Sequence, residues 1–240
     1  MRKLLLLSLM LAFTGVAQAE DIAPEQATTI WKSDVELGFV QTGGNTQTKN
    51  LNTKGKVVAE ADVFRTTLEA TALSSSDNQG TTSEKYTTSL QEDWKMSEVD
   101  YLFGRLGFVS DRFGGYRQRL SETVGYGRDL IKNDDVHWKA EVGGGLRQTR
   151  LISTTRQNDT IARASTGITW KINEAATLIQ DLSSEGGKDG IVTNSVTALQ
   201  NKLNGHLSSK ISYSVKNNSK VPVGTKKTDT ELGVALVWSY

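Results

Sequence analysis

TDTELGVALVWSY, residues 228–240, alternates between two kinds of side chain to the end of the chain. One set is mostly apolar, and its members are Thr230, Leu232, Val234, Leu236, Trp238 and Tyr240. The other set is small or polar, and its members are Asp229, Glu231, Gly233, Ala235 and Ser239. Side chains of a β-strand point to opposite faces in turn, so a period of two predicts a strand with one apolar face.

Composition agrees with a chain made of many such strands. The sequence has 22 Gly and only 2 Pro, and 37% of its residues are hydrophobic. Beyond the first residues there is no apolar run long enough for a membrane-spanning helix, which excludes a helical membrane protein. In a membrane barrel only every second residue faces lipid, so a low average hydrophobicity is expected there. A soluble β-sandwich has a similar composition, so the order of the residues must decide between the two.

The N-terminus has the pattern of an export signal. Arg2 and Lys3 precede an apolar run, residues 4–16, and Ala17-Gln18-Ala19 provides a small-x-small cleavage site. We therefore expect a signal peptide over residues 1–19, cleaved after Ala19, and a short polar periplasmic tail over 20–30. Residues 31–240 would form one barrel domain. The net charge of +1 gives no reason to expect nucleic acid as a partner.

The same alternation recurs along the chain, and it predicts about 12 strands, an even number as bacterial barrels require. The patterns near residues 176–184 and 191–200 are weaker, and their outward faces are not fixed by the sequence. The predicted inner turns are short, and most outer loops are longer, as at 74–83, 111–117, 152–158, 185–190 and 217–226. The prediction is an all-β fold, an antiparallel up-and-down transmembrane β-barrel of a Gram-negative cell envelope, with both termini periplasmic.

Aromatic residues favour the barrel over the sandwich. Amphipathic rings prefer the membrane–water interface, where they form girdles around barrels. The predicted periplasmic girdle consists of Trp31, Trp94, Trp138, Trp170, Trp238 and Tyr240. A sandwich has no reason to place all of its Trp residues along one rim.

Several segments resemble the YdiY-like proteins, a family of uncharacterised outer-membrane proteins that are often labelled salt-induced. The resemblance rests on Gly38-Phe39 with residues 43–46 and 50–52, on Ser110–Phe113 with Gly125–Gly127, and most specifically on 197–199 and 221–230. It covers essentially the whole mature chain. The resemblance implies a barrel fold and a location in the cell outer membrane, and it implies no particular reaction.

Charged residues of both signs lie on the faces expected to point into the barrel. They are Glu36, Lys54, Lys56, Glu60, Arg65, Glu69, Lys85, Asp93, Arg105, Asp129, Lys139, Glu141, Arg147, Arg163, Lys171, Lys210 and Glu231. They can line a water-filled passage, or they can pair and plug a narrow barrel. Eight-stranded barrels are filled by side chains, whereas barrels of 16 to 18 strands leave a channel. About 12 strands falls between these classes, so the strand number does not decide between a passage and a plug.

We expect no enzyme, and the alternative from another class is an outer-membrane lipid-modifying hydrolase. Such hydrolases need a base, usually His, near the outer leaflet. His137 and His206 are both predicted at inner turns, where hydrogen-bonded rim histidines are the simpler interpretation. The segment 43–46 is a hairpin turn without the helix of a phosphate loop, and 185–190 lacks a calcium-loop spacing. No metal and no cofactor are therefore expected.

The sequence thus predicts a non-enzymatic porin-like protein, either a narrow passive pore or a structural envelope protein. A surface-binding barrel is a further alternative, disfavoured by the short loops. Outer-loop lysines, Lys216, Lys220, Lys226 and Lys227, are expected to contact outer-membrane lipid and the phosphates of lipopolysaccharide. The C-terminal strand is expected to engage the barrel-assembly machinery, and the chain is expected to be a monomer.

Overall fold

The computed structural model describes residues 29–43, 49–77, 80–112, 116–152, 155–188, 190–221 and 226–240. These residues form twelve strands: β1 Ile30–Gly43, β2 Lys49–Glu60, β3 Phe64–Asp77, β4 Gly80–Lys95, β5 Asp100–Asp111, β6 Tyr116–Lys132, β7 Val136–Leu151, β8 Arg156–Lys171, β9 Ala176–Gly187, β10 Gly190–Lys202, β11 Leu207–Asn218 and β12 Thr228–Ser239. No helix in these ranges is long and apolar enough to cross a membrane.

Each strand pairs antiparallel with its neighbours in the chain, and β1 pairs with β12 to close the barrel. The closing register matches Val35 with Trp238 and Phe39 with Val234. At the rim, the Ser33 amide donates to the Tyr240 carbonyl and the Tyr240 amide donates to the Ser33 carbonyl, both at 2.8 Å. Closure removes the free edges that an open sheet would expose. The prediction of an antiparallel barrel of about 12 strands is confirmed.

The barrel is apolar outside and polar inside, the reverse of a soluble domain. Large apolar residues point outward, with Val124 70% exposed and Leu37 61% exposed. Asp93 and Glu141 point inward and are buried. The predicted alternation therefore holds, and the outward band is the surface that a transmembrane barrel presents to lipid.

The weak patterns near 176 and 191 are also strands, β9 and β10. Their inward faces alternate through Ile179, Asp181 and Ser183 in β9 and through Val196 and Ala198 in β10. These faces carry apolar, acidic and small side chains together. That mixture hides a clean period of two in the sequence.

The predicted length of the outer loops holds for the β11–β12 connection, residues 219–227, and is wrong for the loops predicted at 74–83 and 185–190. β3 runs to Asp77 and β4 begins at Gly80, inside the segment predicted as the loop 74–83. β9 and β10 likewise extend to Gly187 and Gly190. Serine, threonine and glycine there carry no apolar period, yet their backbone groups continue the ladder of inter-strand hydrogen bonds. Strands therefore extend beyond the apolar band, where sequence periodicity stops marking them.

The predicted signal peptide, residues 1–19, lies outside the described residues, as does most of the predicted tail, 20–30. Ile30 is described, and it begins β1 rather than ending the tail. The predicted turn at 43–46 also lies mostly outside the described ranges.

Candidate functional site

The lumen is built by the inward half of each strand, and the structure places the predicted charged residues on inward positions. β2 and β3 contribute Lys54, Lys56, Glu60, Arg65 and Glu69; β4 and β5 contribute Lys85, Asp93 and Arg105; β6, β7 and β8 contribute Asp129, Lys139, Glu141, Arg147, Arg163 and Lys171; and β11, β12 and β1 contribute Lys210, Glu231 and Glu36. Lys171 stands at the inner rim, where it borders a polar pocket with Lys202 and His206.

Many of these charges pair along the wall. Lys210 approaches Glu36 at 2.6 Å, across the one strand that separates β11 from β1. Further pairs join Lys56 with Glu69 at 3.4 Å, Lys139 with Glu141 at 3.5 Å, Arg163 with Glu185 at 3.0 Å, and Arg147 with Asp159 at 3.0 Å. Lys95 also pairs with Glu60. Three of these six pairs join neighbouring strands, one lies within β7, and two reach across a single strand, so the pairs run around the lumen rather than across it.

One side of the lumen holds a dry polar cluster. The Arg65 Nε and Nη2 atoms both lie 2.7 Å from Asp93, whose exposed fraction is 1%. The Gln91 amide donates to Asp93 and, at 2.9 Å, to Glu141. The Tyr101 hydroxyl also donates to Glu141, at 3.1 Å. A buried charge of this kind needs such partners, because burial removes its water.

Glycines on the neighbouring strands make room for the aromatic rings of that cluster. A Cβ atom on Gly127 would lie 2.3 Å from the Tyr101 ring, and one on Gly125 would lie 2.7 Å from the Phe103 ring. Gly143 faces the same Phe103 ring at 3.1 Å. Tyr101 and Phe103 therefore lie close to the wall of β6 and β7 instead of projecting to the barrel axis.

The lumen beside this cluster is accessible to water, and Lys139, which pairs with Glu141, lies where the two regions meet. Lys56 and Lys139 side chains are 41% and 36% exposed, and Glu69 is 33% exposed, although all three face inward. Asp181, across the lumen on β9, is exposed as well. Side chains inside a closed barrel can be exposed only to the space of its lumen. Accessible space therefore lies beside these charges.

Sequence reasoning missed several lumen residues, including Arg119, Asp159, Asp181 and Glu185. Asp159 follows the predicted loop 152–158, and Arg119 follows the predicted loop 111–117. They lie in β8 and β6, respectively. Glu185 was placed in a predicted loop and instead faces inward from β9, where it pairs with Arg163. The alternation of apolar residues stops at the edge of the lipid band, although the strands continue. Extending each predicted strand beyond that band would have identified these residues.

The inner rim carries the aromatic residues and both histidines. Trp31, Trp94, Trp138, Trp170, Trp238 and Tyr240 lie at the strand ends beside the short inner turns. The His137 ring lies 2.9 Å from Asp129, and His206 Nδ1 lies 3.0 Å from the Ser239 carbonyl. The His206 ring also stacks on Trp238 and Tyr240. These contacts account for the histidines as parts of the rim.

The outer-loop lysines separate into two groups. Lys220, Lys226 and Lys227 lie in the β11–β12 connection and are exposed. Lys216 does not belong with them, because it lies in β11 and faces the lumen. The outer loop was predicted to begin at residue 217, whereas β11 continues to Asn218. Among the described residues, no group of three His, Asp or Glu side chains is arranged to hold a metal ion.

Comparison with known proteins extends this description. A family model described as "Protein of unknown function, DUF481" matches residues 35–240. The uncharacterised protein YdiY of Escherichia coli strain K12 is 28% identical over 218 residues, covering 90% of this chain and 86% of YdiY. The resemblance to YdiY-like proteins is therefore confirmed.

Solved structures share the barrel architecture at low sequence identity. The NanC porin matches with a TM-score of 0.59 and 12% identity, over 85% of this chain and 98% of that one. The translocator domain of the autotransporter NalP from Neisseria meningitidis matches with a TM-score of 0.51 and 8% identity, over 89% and 90% of the two chains. At such identities the likeness shows the fold alone.

Proposed function

We propose that this chain, which belongs to the family of proteins of unknown function DUF481, forms a narrow passive pore in the bacterial outer membrane. The apolar band outside the barrel and the rim of aromatic residues suit a bilayer position. A closed barrel with a polar interior suits the passage of small hydrophilic solutes. No catalytic group is assigned.

The observation that carries the proposal is the exposure of inward charges. Lys56, Lys139 and Asp181 face a closed interior, yet each has a large exposed fraction. Charged groups keep their hydration at little cost when water fills the space beside them, whereas a dry plug would need each of them fully paired. A partly hydrated lumen is therefore the simpler physical arrangement.

A structural barrel without conduction is the second candidate, and the cluster around Asp93 favours it. Gln91 on β4 reaches Glu141 on β7, so side chains fill the space in front of β5 and β6. Extension of that filling to the rest of the lumen would leave a charge-paired plug. The protein would then serve the envelope through its outer surface and loops.

The membrane contacts belong to the same proposal. The exported chain would be inserted through its C-terminal strand, which carries the closing register with β1. Lys220, Lys226 and Lys227 would bind phosphates of lipopolysaccharide as flexible point charges. The pore would act as a monomer.

Single-channel recording of the refolded protein in a planar bilayer tests the pore. We expect discrete, stable conductance steps, because the lumen offers a hydrated path. A heat-modifiable shift in gel migration would establish that the sample is a folded barrel. A folded sample that stays silent would contradict the proposal and favour the structural barrel.

Adjacent residues of β9 provide a matched control for that recording. Asp181 faces the lumen and Leu182 faces outward, with 42% of Leu182 exposed. Asp181→Trp should lower the conductance by about half, because the indole fills lumen space, whereas Leu182→Trp should leave it unchanged. Equal conductance of the two variants would contradict a current that is limited beside Asp181.

A further inference from the structure

Tyr116 connects two walls of the barrel that are far apart. It begins β6, and its hydroxyl accepts a hydrogen bond from the ammonium group of Lys216 on β11 at 3.3 Å. Four strands, β7 to β10, separate β6 from β11 in one direction, and six separate them in the other. Both residues lie at the outer ends of their strands. Their contact therefore crosses the outer mouth of the lumen.

Two cations hold the Tyr116 ring in this position. The Arg119 guanidinium lies 4.1 Å from the ring centroid, and the Lys216 ammonium lies 5.5 Å from it. Arg119 is further fixed by a 3.4 Å contact with the Thr149 hydroxyl. The Arg119 guanidinium lies over the negative face of the ring, whereas Lys216 lies beside the hydroxyl to which it donates, and both contacts stabilise the crossing side chain. Tyr116 is accordingly only 6% exposed.

The wall beside Lys216 narrows the same mouth. The Arg147 Nη2 atom, from β7, donates to the Gly190 carbonyl at 3.2 Å, across β8 and β9. Gly190 has a φ of 111°, and the β11–β12 connection packs on it, with the Ser219 hydroxyl accepting from the Ile191 amide at 2.7 Å. A second cationic side chain thus spans part of the opening from the β7 side.

Charges of both signs lie at this mouth, and Asp229 on β12 is the register partner of Lys216. Asp159 pairs with Arg147, and Glu185 and Asp111 attract Arg119 from the wall. The Nη1 atom of Arg147, a residue only 3% exposed, has no hydrogen-bond partner. The Lys216 ammonium and the Arg119 guanidinium both contact the crossing Tyr116 side chain. An anion that passes would find donors there, whereas a cation would meet like charge.

We propose that the Tyr116–Lys216 crossing, with Arg119, is the selective constriction of the pore and passes small inorganic anions in preference to cations. This inference rests on the proposed pore function and adds its solute class. It assigns selectivity to the outer mouth rather than to the wet region around Lys56 and Lys139. The Tyr116 ring would set the size of the opening, and the Lys216 ammonium would set the sign of the charge of the ions that pass.

The test measures conductance and reversal potential of single channels across a KCl gradient. Near 0.1 M salt the Debye length is about 10 Å, so charges at the constriction are not screened out. Tyr116→Ala should raise conductance by about twofold or more, because it removes the ring from the path. Tyr116→Phe removes only the hydroxyl contact, and it should give a smaller rise while keeping the ring and the fold.

Lys216→Glu should lower the anion-to-cation permeability ratio by about threefold or more. Lys220→Glu makes the same charge change at an exposed position of the neighbouring connection, and it should move the ratio much less. Two results with conducting wild-type channels would overturn the constriction while leaving the pore in place. One is an unchanged conductance in Tyr116→Ala, and the other is an equal change of selectivity in the two lysine variants. Silent wild type with a conducting Tyr116→Ala variant would support the constriction and contradict the open passive pore. Silence of every folded variant would overturn both.

Discussion

Replacing Asp93 by alanine should destabilise the folded barrel by about 3–5 kcal/mol, the cost of removing one partner of a buried ion pair. Asp93 is 1% exposed, and both Nε and Nη2 of Arg65 lie 2.7 Å from its carboxylate. In the variant, the Arg65 guanidinium would lose both contacts to its carboxylate partner and keep only Glu60, its register partner on β2, and Gln91 would lose one acceptor. The measurement is the midpoint of urea unfolding in lipid vesicles.

An exposed ion pair provides the control for Asp93. Arg112 pairs with Glu84 at 3.1 Å near the outer end of the barrel, where the Arg112 side chain is 69% exposed. Arg112→Ala should cost less than about 1 kcal/mol, because water screens that pair. A double replacement, Arg65→Leu with Asp93→Leu, should recover part of the loss, since no charge stays buried alone. Equal costs for Asp93→Ala and Arg112→Ala would show that the cluster is hydrated rather than dry.

The second large effect is expected on the outer surface. Leu90→Arg should destabilise the barrel in a bilayer by about 2–4 kcal/mol, the range for a cation on the lipid face near the midplane. Leu90 is 41% exposed on the outside, opposite Leu68 and Leu106 in the neighbouring strands. The Trp94 ring marks the rim four positions further along β4. Refolding into vesicles with urea titration measures the difference from wild type.

Ser89 provides the matched position one residue away, facing the lumen beside Glu69. Ser89→Arg should change stability by less than about 1 kcal/mol, since its charge would meet water and a carboxylate instead of lipid. If Ser89→Arg cost as much as Leu90→Arg, the assignment of inside and outside would be wrong for β4.

The fold could be predicted because lipid imposes a strict rule. Each apolar residue that faces outward, such as Leu37 or Val124, must alternate with an inward residue, and the period of two survives in the sequence. The closing strand and the inner rim were predictable for the same reason. The rule ends at the edge of the lipid, so Tyr116 and Glu185 were assigned to predicted loops and Lys216 was counted among the outer-loop lysines, although all three lie in strands.

The positions of the charged side chains in the lumen could be predicted, but their hydrogen bonds and ion pairs could not. Inward positions follow from the alternation, so Arg65, Asp93 and Glu141 could each be placed. Their association could not, because Gln91 on β4 meets Glu141 on β7 only through the curvature of the barrel and the glycines Gly125 and Gly143. The contact between Tyr116 and Lys216 depends even more on closure, since 100 positions separate the two residues.

The most direct test of a hydrated lumen uses single cysteines, because the natural chain has none. Lys56→Cys and Val57→Cys are neighbours in β2 that face the lumen and the outside, respectively. Folded protein in vesicles is treated with a small, charged, membrane-impermeant thiol reagent from either side. We predict that Cys at position 56 reacts from both sides, more slowly through the outer mouth, and that Cys at position 57 does not react. Failure of position 56 to react from either side, in protein shown to be folded, would contradict a water-filled passage and identify the lumen as a sealed plug.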